Sequence, residues 1–274
     1  MLHKKHVFVV LVAAGFAAGQ TPPVHFEVAS VKAAPASAGP RFAMTGGPGT
    51  ADPTRIRYAN VPLRPVLLKA FDVPNHRLLG PDWLNTLRYD IEAAVPRGAT
   101  PAEFQEMLRN LMSERFHLKF HRESKDVAIY ALAPARSGIK IPAAVADPAA
   151  RPDQLPAVGG EGRDGFPQVT LPGPGIVIET KNGTARITAR EVTFTRFADF
   201  LSGQLGRPVV DMTNASGVYS FALYYAPEGV VANDSPEPTI FGAAQEQLGL
   251  RLDARRGAVE YLVIDSADKV PLGN

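Results

Sequence analysis

The sequence predicts an α+β fold made of two tandem copies of a small module, each running β-hairpin, α, β, α, β-hairpin with two helices on a mixed sheet, joined by a Pro/Gly-rich linker. Three observations predict it. The two halves lie over each other at one constant offset, with Ile56 over Ile187, Val61 over Val192 and Leu63 over Phe194. Within each half the apolar pattern switches between period two and period 3.6 in the same order. Between the halves, residues 141–175 are rich in proline, glycine and alanine and carry little periodicity, as an extended linker would.

Each element has a local reason. Ile56 and Tyr58, like Ile187 and Ala189, alternate with polar residues, and Asn182-Gly183 supplies the two positive φ angles of a type I′ turn, so each module opens on a hairpin. Val66, Leu67, Ala70 and Phe71 recur at helical spacing, as do Phe197, Phe200, Leu201 and Leu205. Pro62 and Pro65 fit the first turn of the first helix, where a missing N–H costs nothing. Strands "YDIEAAV" and "YSFALYY" follow. Thr100-Pro101-Ala102-Glu103 then reads as an N-cap, a proline at N1 and a carboxylate at the positive helix end, ahead of the stripe Phe104, Met107, Leu108, Leu111 and Met112. In the second half Phe241 lies under Phe104 and Leu248 under Leu111, with Gly249 as a C-cap. Each module closes on a second hairpin, "FHLKFHR" with "VAIYALAP" and "LRLDAR" with "EYLVIDSA", around short polar turns.

The resulting boundaries are a signal peptide over 1–19, a first module over 24–140, the linker over 141–175 and a second module over 176–270. The leader has a basic start at Lys4 and Lys5, an apolar run from Val7 to Ala18, and small residues Ala17 and Gly19 at a cleavage position. It predicts a secreted or periplasmic protein with no stable membrane insertion once the leader is gone. The chain has no cysteine, which excludes disulfides, thiolate nucleophiles, iron–sulfur clusters and a lipidated N-terminal cysteine. A net charge of +2 with interspersed signs gives no field for nucleic acid.

Few residues point to chemistry. His117 and His121 have the spacing of two zinc-binding imidazoles, but the matching stretch from Leu250 carries no histidine, and His25 and His76 complete no ligand set. The reading is therefore a sheet position, with Leu118 and Phe120 inward and His117, Lys119 and His121 outward, and no metal or cofactor is expected. No GxSxG elbow is present for a serine nucleophile. Asp82 and Asp211 each precede a second strand, and Asp211 with Thr213 has the look of an acidic loop; an Asx turn explains both aspartates more simply. Trp83 is either a recognition anchor or a core plug. Tyr224 and Tyr225 are adjacent, so one of them faces away from the buried side of its strand and is a contact candidate.

The stretches "FEVASVKAA", "GPDWL", "RYDIEAAVP", "MLRNLMSERFHLKFHRE", "GRPVVDMT" and "LGLRLDARRGAVEYLVID" resemble a large family of uncharacterised secreted proteins of soil acidobacteria. The same domain occurs fused behind membrane metallopeptidases of the BlaR antibiotic-sensor type. Each half is also distantly similar to the short N-terminal domains of secretins and TonB-dependent receptors, which are periplasmic contact modules. The first resemblance implies no activity and no catalytic residue; the second implies protein binding. Together they predict a non-enzymatic binding or scaffolding protein of the cell envelope, with another envelope protein as partner. The alternatives are a hydrolase with a site in the cleft between the modules and a small-molecule-sensing ectodomain.

Overall fold

Thr100 starts the longest helix as the sequence predicts. Its hydroxyl accepts the Glu103 N–H at 3.2 Å while the Glu103 carboxylate accepts the Thr100 N–H at 2.8 Å, a reciprocal capping box. The computed structural model describes residues 24–35, 39, 41–148, 150, 154–227 and 237–273. The expected leader and most of the 227–238 loop lie outside these residues. Among the described residues the chain is a mixed α+β fold with four α-helices and strands in the majority, and no helix is long and apolar enough to cross a membrane.

The first half builds an antiparallel sheet in the order β1-β5-β3-β2 from β1 (Val28–Ala33), β2 (Ala43–Gly46), β3 (Arg55–Pro62) and β5 (Arg88–Ala94). Helices α1 (Leu63–Phe71) and α2 (Pro101–Phe116) bury their apolar stripes against it. The second half builds the order β10-β11-β13-β7 from β10 (Gly175–Lys181), β11 (Thr184–Val192), β13 (Val218–Tyr225) and the short β7 (Ala143–Ala144). Here α3 (Phe194–Leu205) and the short α4 (Ile240–Ala243) cover the sheet. Asn182 and Gly183 both take positive φ, 50° and 77°, as the hairpin between β10 and β11 requires.

The strand before each first helix carries a bulge. Asn60, at φ 54°, interrupts β3 and donates its N–H to the Asp90 carboxylate at 2.7 Å. Glu191, at φ 49°, interrupts β11 and donates its N–H to the Ser220 hydroxyl at 2.9 Å. In both places a side chain from the neighbouring strand satisfies the N–H that the ladder loses.

The expected closing hairpins are not formed. β6 (Lys119–Pro134) and β14 (Leu250–Ser266) are single strands of 16 and 17 residues, and they pair antiparallel with each other along nearly their whole length. The short β12 (Val209–Asp211) runs parallel to β6, and β4 (Leu78–Leu79) runs parallel to β14, giving a mixed sheet in the order β12-β6-β14-β4. The polar stretches expected as turns, Glu123 to Asp126 and Arg256 to Val259, lie in the middle of this ribbon. Their polarity answers to solvent, since Ser124, Asp126, Arg256 and Ala258 are exposed between the two cores.

This ribbon links the cores. The first-half core contains Leu262 and Ile264 of β14, and the second-half core contains Leu132 of β6. Leu118 points inward as expected, whereas Phe120 keeps 40% exposure and packs edge-on against Phe71 at 4.5 Å. His117 takes the left-handed conformation at the end of α2. Its Nδ1 lies 2.7 Å from Asp268, and that of His121 lies 2.8 Å from Asp265, so the paired imidazoles fasten the end of β14 to the start of β6. The C-terminal tail also satisfies the last carbonyls of α2, with Asp268 and Leu272 donating to Phe116 and Arg115.

The 141–175 stretch is more structured than a linker. Besides β7 it contains a two-stranded ribbon, β8 (Ala157–Glu161) with β9 (Pro167–Thr170), and it buries Phe166 and Leu171. Its proline and glycine content conceals a pattern that anchoring side chains of the second half impose.

Candidate functional site

The two halves meet at a cleft of about 880 Å³. Its floor is the middle of the ribbon, where Arg122 and Glu260 form an ion pair beside Leu262. One wall is the chain leaving α1, from Phe71 to Pro74, with Arg77 beyond it. Asp72 ends α1 in the left-handed region at φ 49°. Arg64 fixes the following turn by donating to the Asn75 side chain at 2.6 Å and to the Leu78 carbonyl at 2.7 Å, and Arg109 donates to the Ala70 carbonyl at 2.7 Å. The other wall is the start of α3, with Thr193, Thr195, Arg196 and Asp199, preceded by Glu191. Thr193 caps the helix by accepting the Arg196 N–H at 3.1 Å.

Across the back of this cleft Asp199 of the second half faces Arg77 and His76 of the first, at 3.4 and 4.0 Å. Burial pushes the Asp199 carboxyl up; the Arg77 charge pulls it back and the Asp72 charge adds to the rise. His76 is pushed down to about 4, by burial and then by Arg77, so its ring is neutral near pH 7. The facing oxygen of Asp199 is itself buried, which makes this trio a tie between the halves, while the rest of each side chain keeps partial exposure to the cleft.

The residues singled out by sequence are not gathered here. Asp82 is exposed at the start of the 3-10 turn Asp82–Asn85. Asp211 closes an Asx turn, accepting the N–H and hydroxyl of Thr213 at 2.9 and 2.7 Å and the Thr195 hydroxyl at 2.9 Å. Among the described residues the two aspartates share no hydrogen bond, and the Asx turn expected at both is formed at Asp211, while the Asp82 turn carries no side-chain cap. Trp83 is half-buried against the first core. No group of three or more His, Asp or Glu side chains among the described residues could hold a metal ion.

The tyrosine pair separates as alternation requires. Tyr225 is buried and Tyr224 faces outward, where the insertion covers it. The Tyr224 hydroxyl donates to Asp164 at 2.7 Å, and its ring meets Phe166 edge-on at 6.1 Å. Arg186 completes the anchor with Asp164 at 2.6 Å, Glu179 at 2.5 Å and the Pro167 carbonyl.

The Tyr224 hydroxyl and then Arg186 hold the Asp164 carboxyl down at about 2, against an ordinary 3.8. A depressed carboxylate stabilises the fold fully above its unfolded value and loses that contribution as pH falls through the folded one. The insertion is therefore expected to stay docked at pH 5 and to loosen between about pH 4 and 2, read as rising amide exchange over 157–170 before global unfolding. Unchanged exchange through pH 2 would contradict this anchor.

Sequence reasoning missed Arg77 and Asp199. Asp199 sits at the margin of the α3 apolar stripe, and its partner comes from the other half, so no local spacing marks either residue.

No curated protein and no solved structure matches the chain. A family model described as a protein of unknown function matches residues 65–267, from the first turn of α1 through the insertion to the end of β14. The chain belongs to that family, DUF3738.

Proposed function

We propose that the chain is a secreted, non-enzymatic binding protein in which two copies of one module exchange a long strand and hold a small polar ligand in the cleft between them. The observation that carries this reading is the convergence of charged side chains from both halves on one cleft of about 880 Å³, within the usual range of small-molecule sites. It supports a sensing ectodomain among the readings the sequence offers.

The two-copy organisation is supported by matched local devices. Asn60 and Glu191, which stand at the same offset as Ile56 and Ile187, make equivalent bulges. Leu78 pairs with Leu262 while Val209 pairs with Tyr130, so the short strand of each half flanks the long strand of the other. The helix ends at His117 and Gly249 are both left-handed and match at nearly that offset. Their match puts Leu248 under Phe116, revising its alignment with Leu111, and makes the second helix shorter by about two turns.

A hydrolase in the same cleft has less support. Thr193 and Thr195 are committed to a cap and to Asp211, and Asp199 turns its facing oxygen away from solvent. A second reading, in which another envelope protein adds a strand, is favoured by the position of β10 at the edge of its sheet.

The test is a thermal-shift screen of polar small molecules against the full chain and against Val73→Trp, which sets a bulky ring into the cleft lining. Stabilisation by a ligand should follow mass action and fall in the obstructed variant. Stabilisation that survives Val73→Trp undiminished, or none while a defined envelope protein cross-links to β10, would overturn the cleft reading.

A further inference from the structure

We infer that the ligand of this cleft is a zwitterion with an ammonium group at one end and a carboxylate at the other, as an amino acid or short peptide carries. The inference rests on the cleft being the binding site. Most charged groups of the lining already hold a partner. Arg122 and Glu260 hold each other, and Arg77 faces Asp199. Both oxygens of Glu191 are used, one by Arg190 at 2.9 Å and the other by the Asp147 N–H at 2.9 Å.

Two charges remain. Asp72 and Arg196 are exposed, line the cleft, and have no side-chain partner among the described residues. They have opposite signs, stand on opposite walls and belong to opposite halves. They do not pair with each other.

Each is reinforced by its surroundings. The field of Asp72 reaches Asp199, whose carboxyl is raised by burial and further by Asp72, so a cation placed there relieves a repulsion already present. Arg196 sits in the first turn of α3, where the helix dipole adds positive potential. An anion alone would meet Asp72, and a cation alone would meet Arg196. A molecule carrying both signs matches both walls and bridges the halves. Val73 and Pro74, both partly exposed in the lining, supply apolar contact for whatever lies between the two ends.

The experiment titrates the full chain with the common amino acids and with alanyl-leucine, its N-acetyl form and its C-terminal amide, reading calorimetric heat and thermal shift. The free zwitterion should bind at least tenfold more tightly than either blocked form. Asp72→Asn should remove the penalty of N-acetylation, and Arg196→Gln should remove the penalty of C-terminal amidation, because each then lacks the charge that the blocked end would have met.

Both substitutions lie on exposed positions, and Asn tolerates the left-handed backbone of Asp72, so folding is retained; circular dichroism checks it. Equal binding of free and blocked forms, or none by any of them, overturns the inference. Binding of a neutral sugar or a dicarboxylate that is lost in Val73→Trp would sink the zwitterion and leave the cleft standing. Failure of every polar ligand removes both.

Discussion

Two polypeptides covering residues 24–148 and 154–274 are expected to be unfolded when separate and to fold cooperatively when mixed in equal amounts. Each half lacks part of its own core. The first is missing Leu262 and Ile264, and the second is missing Leu132, all of which arrive on the partner strand of the ribbon. Emptying one such buried site costs about 2–5 kcal/mol, against a total stability of about 5–15 kcal/mol for a typical domain.

Backbone pairing adds to the loss. Without β14, the whole of β6 and the short β4 have unpaired edges, and without β6 the same holds for β14 and β12. Circular dichroism and analytical gel filtration of each half and of the mixture check this. A first half that melts cooperatively alone would mean that the ribbon only joins two self-sufficient domains.

Arg186→Ala is expected to destabilise the protein by about 3 kcal/mol, as breaking one side of a buried ion pair does, and to release the insertion. The Arg186 side chain is 9% exposed and donates to Asp164, Glu179 and the Pro167 carbonyl, with its guanidinium 4.9 Å from the Phe166 ring centre. Removing it leaves the largely buried Glu179 without its counter-ion, and breaking one partner of a buried pair costs about 3–5 kcal/mol. The lower end applies because Asp164 keeps contact with solvent.

The β8–β9 ribbon has no reason to hold alone, since an isolated two-stranded hairpin is marginal in water. Urea unfolding together with limited proteolysis tests the variant. Early cleavage within 157–170 and a lowered midpoint are the expected results. Arg186→Lys should recover only part of the loss, because an ammonium cannot reproduce the forked contact. A stability within about 0.5 kcal/mol of the parent, the scatter usual for surface changes, would mean that Phe166 alone docks the insertion.

Much of the fold was legible because its signals are local. Helix α2 follows from Thr100, Pro101, Glu103 and one apolar stripe, and the β10–β11 turn from Asn182-Gly183, all within a few residues of chain. The closing strands were misread for the opposite reason. A polar run in the middle of a long strand and a polar turn between two short ones have the same composition, and only the partner decides between them. The insertion was misread because its order comes from Arg186 and Tyr224, distant in sequence.

The candidate cleft was the least legible part. Asp72, Arg77, Arg196 and Asp199 come from two halves, and each is unremarked in its own neighbourhood. Adjacency requires one of Tyr224 and Tyr225 to face outward without saying which, and the surface that the outward Tyr224 meets belongs to the same chain.

By itself, the sequence determined the α+β class, the position of three of the helices, the caps and the hairpin turn, because backbone propensity and apolar period act over one or two turns of chain. The tertiary structure alone decided that β6 and β14 pair with each other, that each core borrows apolar side chains from the other half, and that opposite charges line one cleft. Those outcomes depend on which surfaces meet after the local elements have formed, and no spacing within either half encodes that.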